Sequence, residues 1–301
     1  METRRTVSIR QLKTLIAVHD HGTFSAAAEV VSVTQAAVSQ QMRALESEWG
    51  VALFDRRGRP VLTPAGRELV ARARSVVAGY DALRPAAQGQ GELAGTCRLG
   101  SVPTGLVALV PLAVRLLADS APQLQLNIVS GLSHKLMTEV LQGRLDLALV
   151  SRQRVLDPGI QWHAVADEPL ELIAPLDCAH ESVETLLRER PFIRFARDAI
   201  VGELIEAWLQ QRGIAVQERM IVEELQATAQ LVLSTGGVSI VPRQCVDTVQ
   251  PLPVCRLPLG PDAPVRQLGL VSRKTGQRSA IVDAVVDGIR QAVSRGRLGV
   301  D

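Results

Sequence analysis

The sequence predicts an α/β protein fronted by an all-α, winged helix-turn-helix unit, and three observations lead there. Apolar residues recur at helical spacing up to about residue 49. A stripe with alternating steps of four and three then covers 64–85 and is closed by a glycine-rich run at 88–95. From residue 96, short apolar strands alternate with helices, the pattern of a parallel sheet covered on both faces. With 301 residues, 47% of them hydrophobic, the chain has apolar mass for two or three cores. The expected boundaries are 1–65, 66–94 and 95–301.

Taken in order, Ile9, Leu12, Leu15, Ile16 and Val18 mark a first helix ended by His21-Gly22, and Thr23 caps a second over about 24–31. Thr34 is the expected N-cap of a third, with Val33 and Val38 at hydrophobic-staple positions. Val38, Met42, Leu45 and Trp49 fall at i, i+4, i+7 and i+11, a buried stripe that leaves Gln35, Ala36, Ser39, Gln40 and Arg43 on the other side. Gln pairs with adenine, Arg with guanine, and a small Ala36 lets the backbone approach a base edge. An ordinary surface helix has the same amphipathicity. The tight turn near Ser32 between two short helices is what makes this a helix-turn-helix. Residues 53–63 then read as a hairpin whose tip carries Arg56, Arg57 and Arg59, apt for phosphate or a narrow minor groove. Charge agrees, since residues 1–90 hold 12 Arg and Lys against 8 Asp and Glu, while the rest hold 21 against 23. The expected contacts to double-stranded DNA are Thr23, Ser25, Thr34, Gln35, Ala36, Ser39, Gln40, Arg43, Arg56, Arg57, Arg59 and Thr63.

Over 64–85, Leu69, Ala73, Val76, Tyr80 and Leu83 form an a/d stripe. It either packs on the body of the protein or pairs with a second copy, and its place directly after a DNA-binding unit favours pairing. Residues 88–95 form a hinge. Strands are expected at 97–102, 124–129, 145–150, 170–174, 192–195, 219–222, 238–241 and 268–271. Helices are expected at 106–117, 135–141, 183–188, 201–212, 227–234 and 280–293.

Residues 9–66 resemble the winged helix-turn-helix of the LysR-type transcriptional regulators. The carrying motifs are Arg10-Gln11-Leu12, Gly22-Thr23-Phe24-Ser25-Ala26-Ala27-Ala28, the run from Val33 to Glu46, Gly50-Val51, Leu53-Phe54 and Leu62-Thr63-Pro64-Ala65-Gly66. Ala36 and Gln40 depart from the Pro and Arg common in the family, which touches contacts and not the fold. Leu145-Asp146-Leu147-Ala148 and residues 236–242 match landmarks of the family's effector domain. The resemblance implies a periplasmic-binding-protein-like, two-lobed effector domain, with lobe I at about 95–165 and 266–301 and lobe II at about 166–265. The chain would cross between lobes near 161–171 and 259–268. Also implied are a linker helix pairing subunits into a dimer or dimer of dimers, a small polar or anionic effector, and contact with RNA polymerase.

Ligands of open α/β sheets sit at the carboxyl ends of strands, which here selects Ser101, Thr104, Ser130, Ser133, Arg194 and Phe195. Local roles compete: Thr104 and Ser133 as helix caps, Arg194 in a local ion pair. The resemblance places Ser101, Thr104, Ser130 and Ser133 in the effector cleft. Cys97, Cys178, Cys245 and Cys255 show no C-x-x-C spacing, so buried thiols are the default. Cys245 and Cys255 suggest a redox pair like that of the family's peroxide-sensing branch, but both follow 236–242, whereas that branch's pair precedes the equivalent segment. His19 and His21 lack a third ligand, and no metal or cofactor is expected. Neither G-x-S-x-G, a phosphate loop nor H-E-x-x-H occurs, which argues against an enzyme of those kinds. No apolar run approaches the roughly 20 residues of a membrane span, and Met1 to Arg5 are not followed by a signal-peptide core, so a cytoplasmic protein without membrane contact is expected. The competing class is a small-molecule binding protein or enzyme on the α/β part, with the N-terminal unit used only for association.

Overall fold

The computed structural model describes residues 7–55, 60–87, 93–247, 253–274 and 280–296. It divides into two compact units, the first made essentially of residues 1–95 and the second of the remainder. In the first, α1 (Ile9–His21) starts at a capping box in which Ser8 and Gln11 bond each other's backbone amides, and it ends at Gly22 with φ 72°. Helices α2 (Phe24–Val30) and α3 (Gln35–Trp49) follow, then the hairpin β1 (Phe54–Asp55) and β2 (Val61–Leu62), then α4 (Pro64–Ala87). Leu15, Val18, Ala27, Val38, Met42, Leu45, Phe54 and Val70 make one core, and Phe24 meets Phe54 edge-on at 5.4 Å. Val33 packs against this core beside Val38, as a staple requires.

Two expectations need correction here. Trp49 does not continue the buried stripe: it is 38% exposed, because α3 ends there at Gly50 and its last turn runs beyond the core. The stripe on α4 is also divided. Ala73 is buried and Leu69 packs on the core of this unit, whereas Val76 and Tyr80 are 52% and 53% exposed. Lys13–Asp81, at 2.8 Å, and Arg74–Asp20 fasten α4 to α1. The hairpin tip with Arg56, Arg57 and Arg59, and residues 88–92 of the hinge, lie outside the described residues.

In the second unit the expected strand and helix alternation is present. Lobe I contains β3 (Gly95–Ser101), a 3-10 turn at Pro103–Leu106, α5 (Leu109–Ser120), β4 (Leu124–Ser130), α6 (Ser133–Leu141) and β5 (Leu147–Ser151). The chain then enters β6 (Ile160–Ala174), and lobe II adds α7 (Val183–Glu189), β7 (Pro191–Phe195), α8 (Ile200–Gln211), β8 (Gln217–Val222), α9 (Leu225–Thr235), β9 (Ser239–Pro242) and β10 (Cys255–Pro258). Strand β11 (Val265–Arg273) returns it to lobe I and α10 (Ala280–Gly296). Each lobe has its own core. Leu99, Leu149 and Leu270 meet α5 and α10 in lobe I, while Leu172, Phe192, Ile205 and Ile240 centre lobe II.

The principal sheet has seven strands, in the order β10-β6-β11-β5-β3-β4 with β9 also on β6, and is mixed, not parallel throughout; β7 and β8 pair apart from it. Strands β3 and β5 are parallel, as are β7 and β8, but β11 runs antiparallel to β5 and β6, and β6 antiparallel to β9 and β10. The reason is topological: strands that carry the chain out to lobe II and back must run in opposite senses. The crossings expected near 161–171 and 259–268 are these two strands. Thus 170–174 is not a separate strand but the end of the 15-residue β6, buried without interruption from Leu170 to Ala174. Helix α5 opens three residues later than expected because Pro103 first sets a 3-10 turn. Strand β10 was not anticipated, being four residues between irregular segments. No helix among the described residues is long and apolar enough to cross a membrane.

Candidate functional site

The nucleic-acid candidate is built on α3. Thr23 Oγ1 accepts from the Ala26 amide at 3.1 Å and Thr34 Oγ1 from the Ala37 amide at 3.2 Å, so both hydroxyls start helices. Ser32, with φ 54°, makes the turn between α2 and α3. Beyond that turn Gln35, Ala36, Gln40 and Arg43 are exposed and Ser39 half-exposed, opposite buried Val38, Met42 and Leu45. Ser25 is exposed near the start of α2. Thr63 is engaged structurally: its hydroxyl donates to Ala52 O at 2.8 Å and accepts from the Gly66 amide at 3.0 Å. Glu46, for which no role was expected, accepts from the amides of Leu53 and Phe54 at 2.9 and 3.2 Å and clips the C-terminal part of α3 to the hairpin.

The effector candidate is a rim of hydroxyls in lobe I. Three strands, β3, β4 and β5, each end in serine: Ser101, Ser130 and Ser151. The Gly131 amide donates to Ser101 O at 3.1 Å and the Ser151 amide to Ser133 Oγ at 3.1 Å, which brings these ends together. Ser130 is exposed, while Ser101, Thr104, Ser133 and Ser151 are buried. Ser101 Oγ donates to Val102 O at 2.9 Å under the 3-10 turn. Thr104 is no helix cap; its hydroxyl accepts from Arg266 Nη1 at 2.7 Å. Arg266 and Glu168, each 2% exposed, form a buried pair on β11 and β6, and Glu168 Oε1 also accepts the Cys245 amide at 3.0 Å.

Arg194 and Phe195 lie in lobe II and are engaged elsewhere. Phe195 is 1% exposed, inside the lobe II core. Arg194 is held by Glu218 at 2.8 Å and Glu206 at 3.1 Å and stacks on Phe192 at 4.9 Å, which is the local ion pair weighed above. Burial works against ionisation of Glu218, but hydrogen bonds from Arg194 and Arg197 outweigh it and hold that carboxyl below its ordinary value. Ser151, Glu168 and Arg266 were missed by sequence reasoning. Ser151 was findable as the residue closing the apolar run 145–150. Glu168 and Arg266 are far apart in sequence, and nothing local marks them as partners.

A family model for the LysR substrate binding domain matches residues 90–294, and one for the lysR-family bacterial regulatory helix-turn-helix protein matches 9–67. This chain belongs to the LysR family of transcriptional regulators. It is 31% identical over 300 residues, 96% of each chain, to a probable hydrogen peroxide-inducible genes activator of Streptomyces viridosporus. It is 27% identical to the DNA-binding transcriptional dual regulator OxyR of Escherichia coli strain K12, covering 94% of this chain and 95% of that one. Among solved structures, full-length CbnR with its target DNA has 26% identity and a TM-score of 0.60 over 95% of this chain and 99% of that one. A full-length OxyR variant from Pseudomonas aeruginosa shares the fold, with a TM-score of 0.74, 24% identity and 99% coverage of both chains. In this LysR regulator the helix-turn-helix match ends with the start of α4, and the substrate-domain match takes in both lobes.

Proposed function

We propose that this LysR regulator binds operator DNA as a homo-oligomer and that its output is set by a small polar or anionic molecule at the serine rim, not by oxidation of its thiols. The observation that carries the reading is the convergence of Ser101, Ser130, Ser133 and Ser151 where three strands end, since hydroxyls gathered at strand ends suit a compact polar ligand. For DNA, Gln35, Ala36, Ser39, Gln40 and Arg43 on α3 read base edges, and Arg56, Arg57 and Arg59 hold the backbone or minor groove. CbnR, a relative of 26% identity, was solved on its target DNA, which supports the same use here. Exposed Val76 and Tyr80 on α4 supply an apolar seam for the second subunit. Regulation would run through the subunits to RNA polymerase in the cytoplasm.

The second reading, peroxide sensing, is favoured by the names of several relatives. Oxidation by peroxide requires a thiolate, whose sulfur attacks the peroxide oxygen. Cys97 is pushed up to about 12 by burial, with Asp146 adding to it, and Cys245 to about 12 by burial, with Glu168 adding. Cys178 is fully buried. Cys245 packs on the lobe I core while Cys255 lies on β10 of lobe II, so the two thiols belong to different lobes. The deciding experiment is a promoter reporter in the native host, paired with DNase protection of the operator. Cys245→Ser with Cys255→Ser should respond as wild type. Ser101→Ala with Ser130→Ala should lose the response while operator affinity stays within about twofold, because a ligand shifts only equilibria in which it binds one state better. The opposite pattern would put the sensor in the thiols.

A further inference from the structure

Besides its crossings on β6 and β11 the chain makes one excursion from lobe II to lobe I and back. It leaves β9 at Pro242, which pairs with Leu170 in lobe II, and by Val246 it is inside the lobe I core, 5% exposed; Val254 is back in the core of lobe II. The Arg243 amide donates to Pro169 O at 2.9 Å as the last backbone bond to β6, and beyond it the passage is fastened through side chains. Gln244 Nε2 donates to Thr104 O at 2.8 Å, the Cys245 amide donates to Glu168 Oε1 at 3.0 Å, and Val246 packs closely against Gly296 of α10. Arg266, paired with Glu168, donates to the Thr104 hydroxyl at 2.7 Å. Thr104 is therefore gripped twice, through its carbonyl by the passage from lobe II and through its hydroxyl by β11.

We propose that Gln244, Cys245 and Val246 form a strap, with Gln244 and Arg266 as positioning residues, that couples occupation of the Ser101 to Thr104 turn to the arrangement of the two lobes. The inference rests on the serine rim being the effector site. A molecule seated at the rim draws on the same turn that the strap holds, so it changes the balance between a seated and a released strap, and that balance decides how lobe II is tethered to lobe I. Beyond Arg243, the bonds of Gln244 to Thr104 and of Cys245 to Glu168, with one buried valine, make a fastening that is stable at rest and small enough to be released without unfolding either core.

Cys245 is a built-in gauge of release. In the full-length protein, iodoacetamide labelling resolved by peptide mass spectrometry should proceed at least tenfold faster at Cys245 in Gln244→Ala than in wild type, with Cys97 and Cys178 unchanged. The same variant should hold promoter output at one level across growth conditions in which wild type varies, with operator affinity within twofold. If Gln244→Ala also exposes Cys97, Gln244→Glu, which retains the packing and loses the donated bond, replaces it with the same expectation. Unchanged Cys245 labelling in both variants overturns the strap, and faster labelling with wild-type regulation overturns its role in coupling. A fixed output in Gln244→Ala, together with a normal response in Ser101→Ala with Ser130→Ala, would leave the strap standing and remove the rim as the sensing site.

Discussion

Replacing Glu168 by leucine leaves Arg266 charged, 2% exposed and, among the described residues, hydrogen-bonded through its side chain to Thr104 alone, so the cost is that of a buried charge without its counter-ion, about 3–5 kcal/mol. The loss is larger than for Arg98–Asp146, where each side chain keeps about a quarter of its surface in water and solvent screens what is left behind. For a unit of this size, each kcal/mol moves the melting temperature by about 2–4 °C, so a drop on the order of 10 °C is expected. The double variant Glu168→Leu with Arg266→Met removes both charges and should recover about half of the loss, the remainder reflecting the unpaired Cys245 amide and Thr104 hydroxyl. The three tryptophans make the assay selective. Trp49 belongs to the N-terminal unit and Trp162 and Trp208 to the two lobes, so in a Trp49→Phe background urea unfolding followed by fluorescence reports the two-lobed unit alone. If Glu168→Leu costs less than about 1 kcal/mol, or if the double variant is no better than the single, the pair is not the buried, interdependent element argued above.

Arg43→Ala should relax sequence preference by about 1–3 kcal/mol, and Arg57→Ala should weaken all DNA alike and flatten the salt dependence; binding titrations on operator and random duplexes at several salt concentrations distinguish the two. Val76→Glu with Tyr80→Glu places charge on the exposed half of the α4 stripe and should give a monomer in sedimentation while α1 to α3 stay folded. Ala196, at φ 45°, holds a left-handed conformation that glycine adopts freely, so Ala196→Gly should raise stability by about 1 kcal/mol in urea unfolding. Because burial raises the Cys97 and Cys245 thiols to about 12 from an unfolded value near 9, the stability they contribute is complete below pH 9 and falls as pH rises from 9 towards 12; alkaline melting curves measure it.

The N-terminal unit was legible because its information is local. Thr23 and Thr34 announce helix starts, Gly22 announces an end, and the spacing of Val38, Met42 and Leu45 selects the face of α3 left for DNA; the Ser8–Gln11 box and the Gly50 cap carry equally local signals that were not read. Trp49 was misplaced because periodicity says which face a residue occupies, not how far the core extends beneath it. Apart from β10 and the first part of β6, the strands of the lobes were found from their apolar runs, but direction is a pairing property, so the antiparallel course of β6 and β11 was not visible in either segment. The same limit applies at the rim. Strand ends pointed to Ser101, Thr104, Ser130 and Ser133, while the partners that hold Thr104, namely Arg266 and Gln244, lie about 140 to 160 positions further along and become neighbours only once both lobes are built. Arg194 was chosen for being at a strand end, and the carboxylates that claim it arrive from α8 and β8.

Strand β6 serves two cores with one backbone, about 50 Å of continuous ladder at strand rise. Its pairing with β11 breaks register only between Leu268 and Gly269, where the indole of Trp162 lies so close that a methyl group on Gly269 would have no room. The lobes are therefore not interchangeable cassettes. A chimera that swapped lobe II between relatives at 166 and 265 would cut β6 in mid-strand and part it from β11 at the first pair of their ladder, joining halves whose pleats must match residue for residue. Boundaries placed in the loops at 152–159 and 259–264 would leave both shared strands whole.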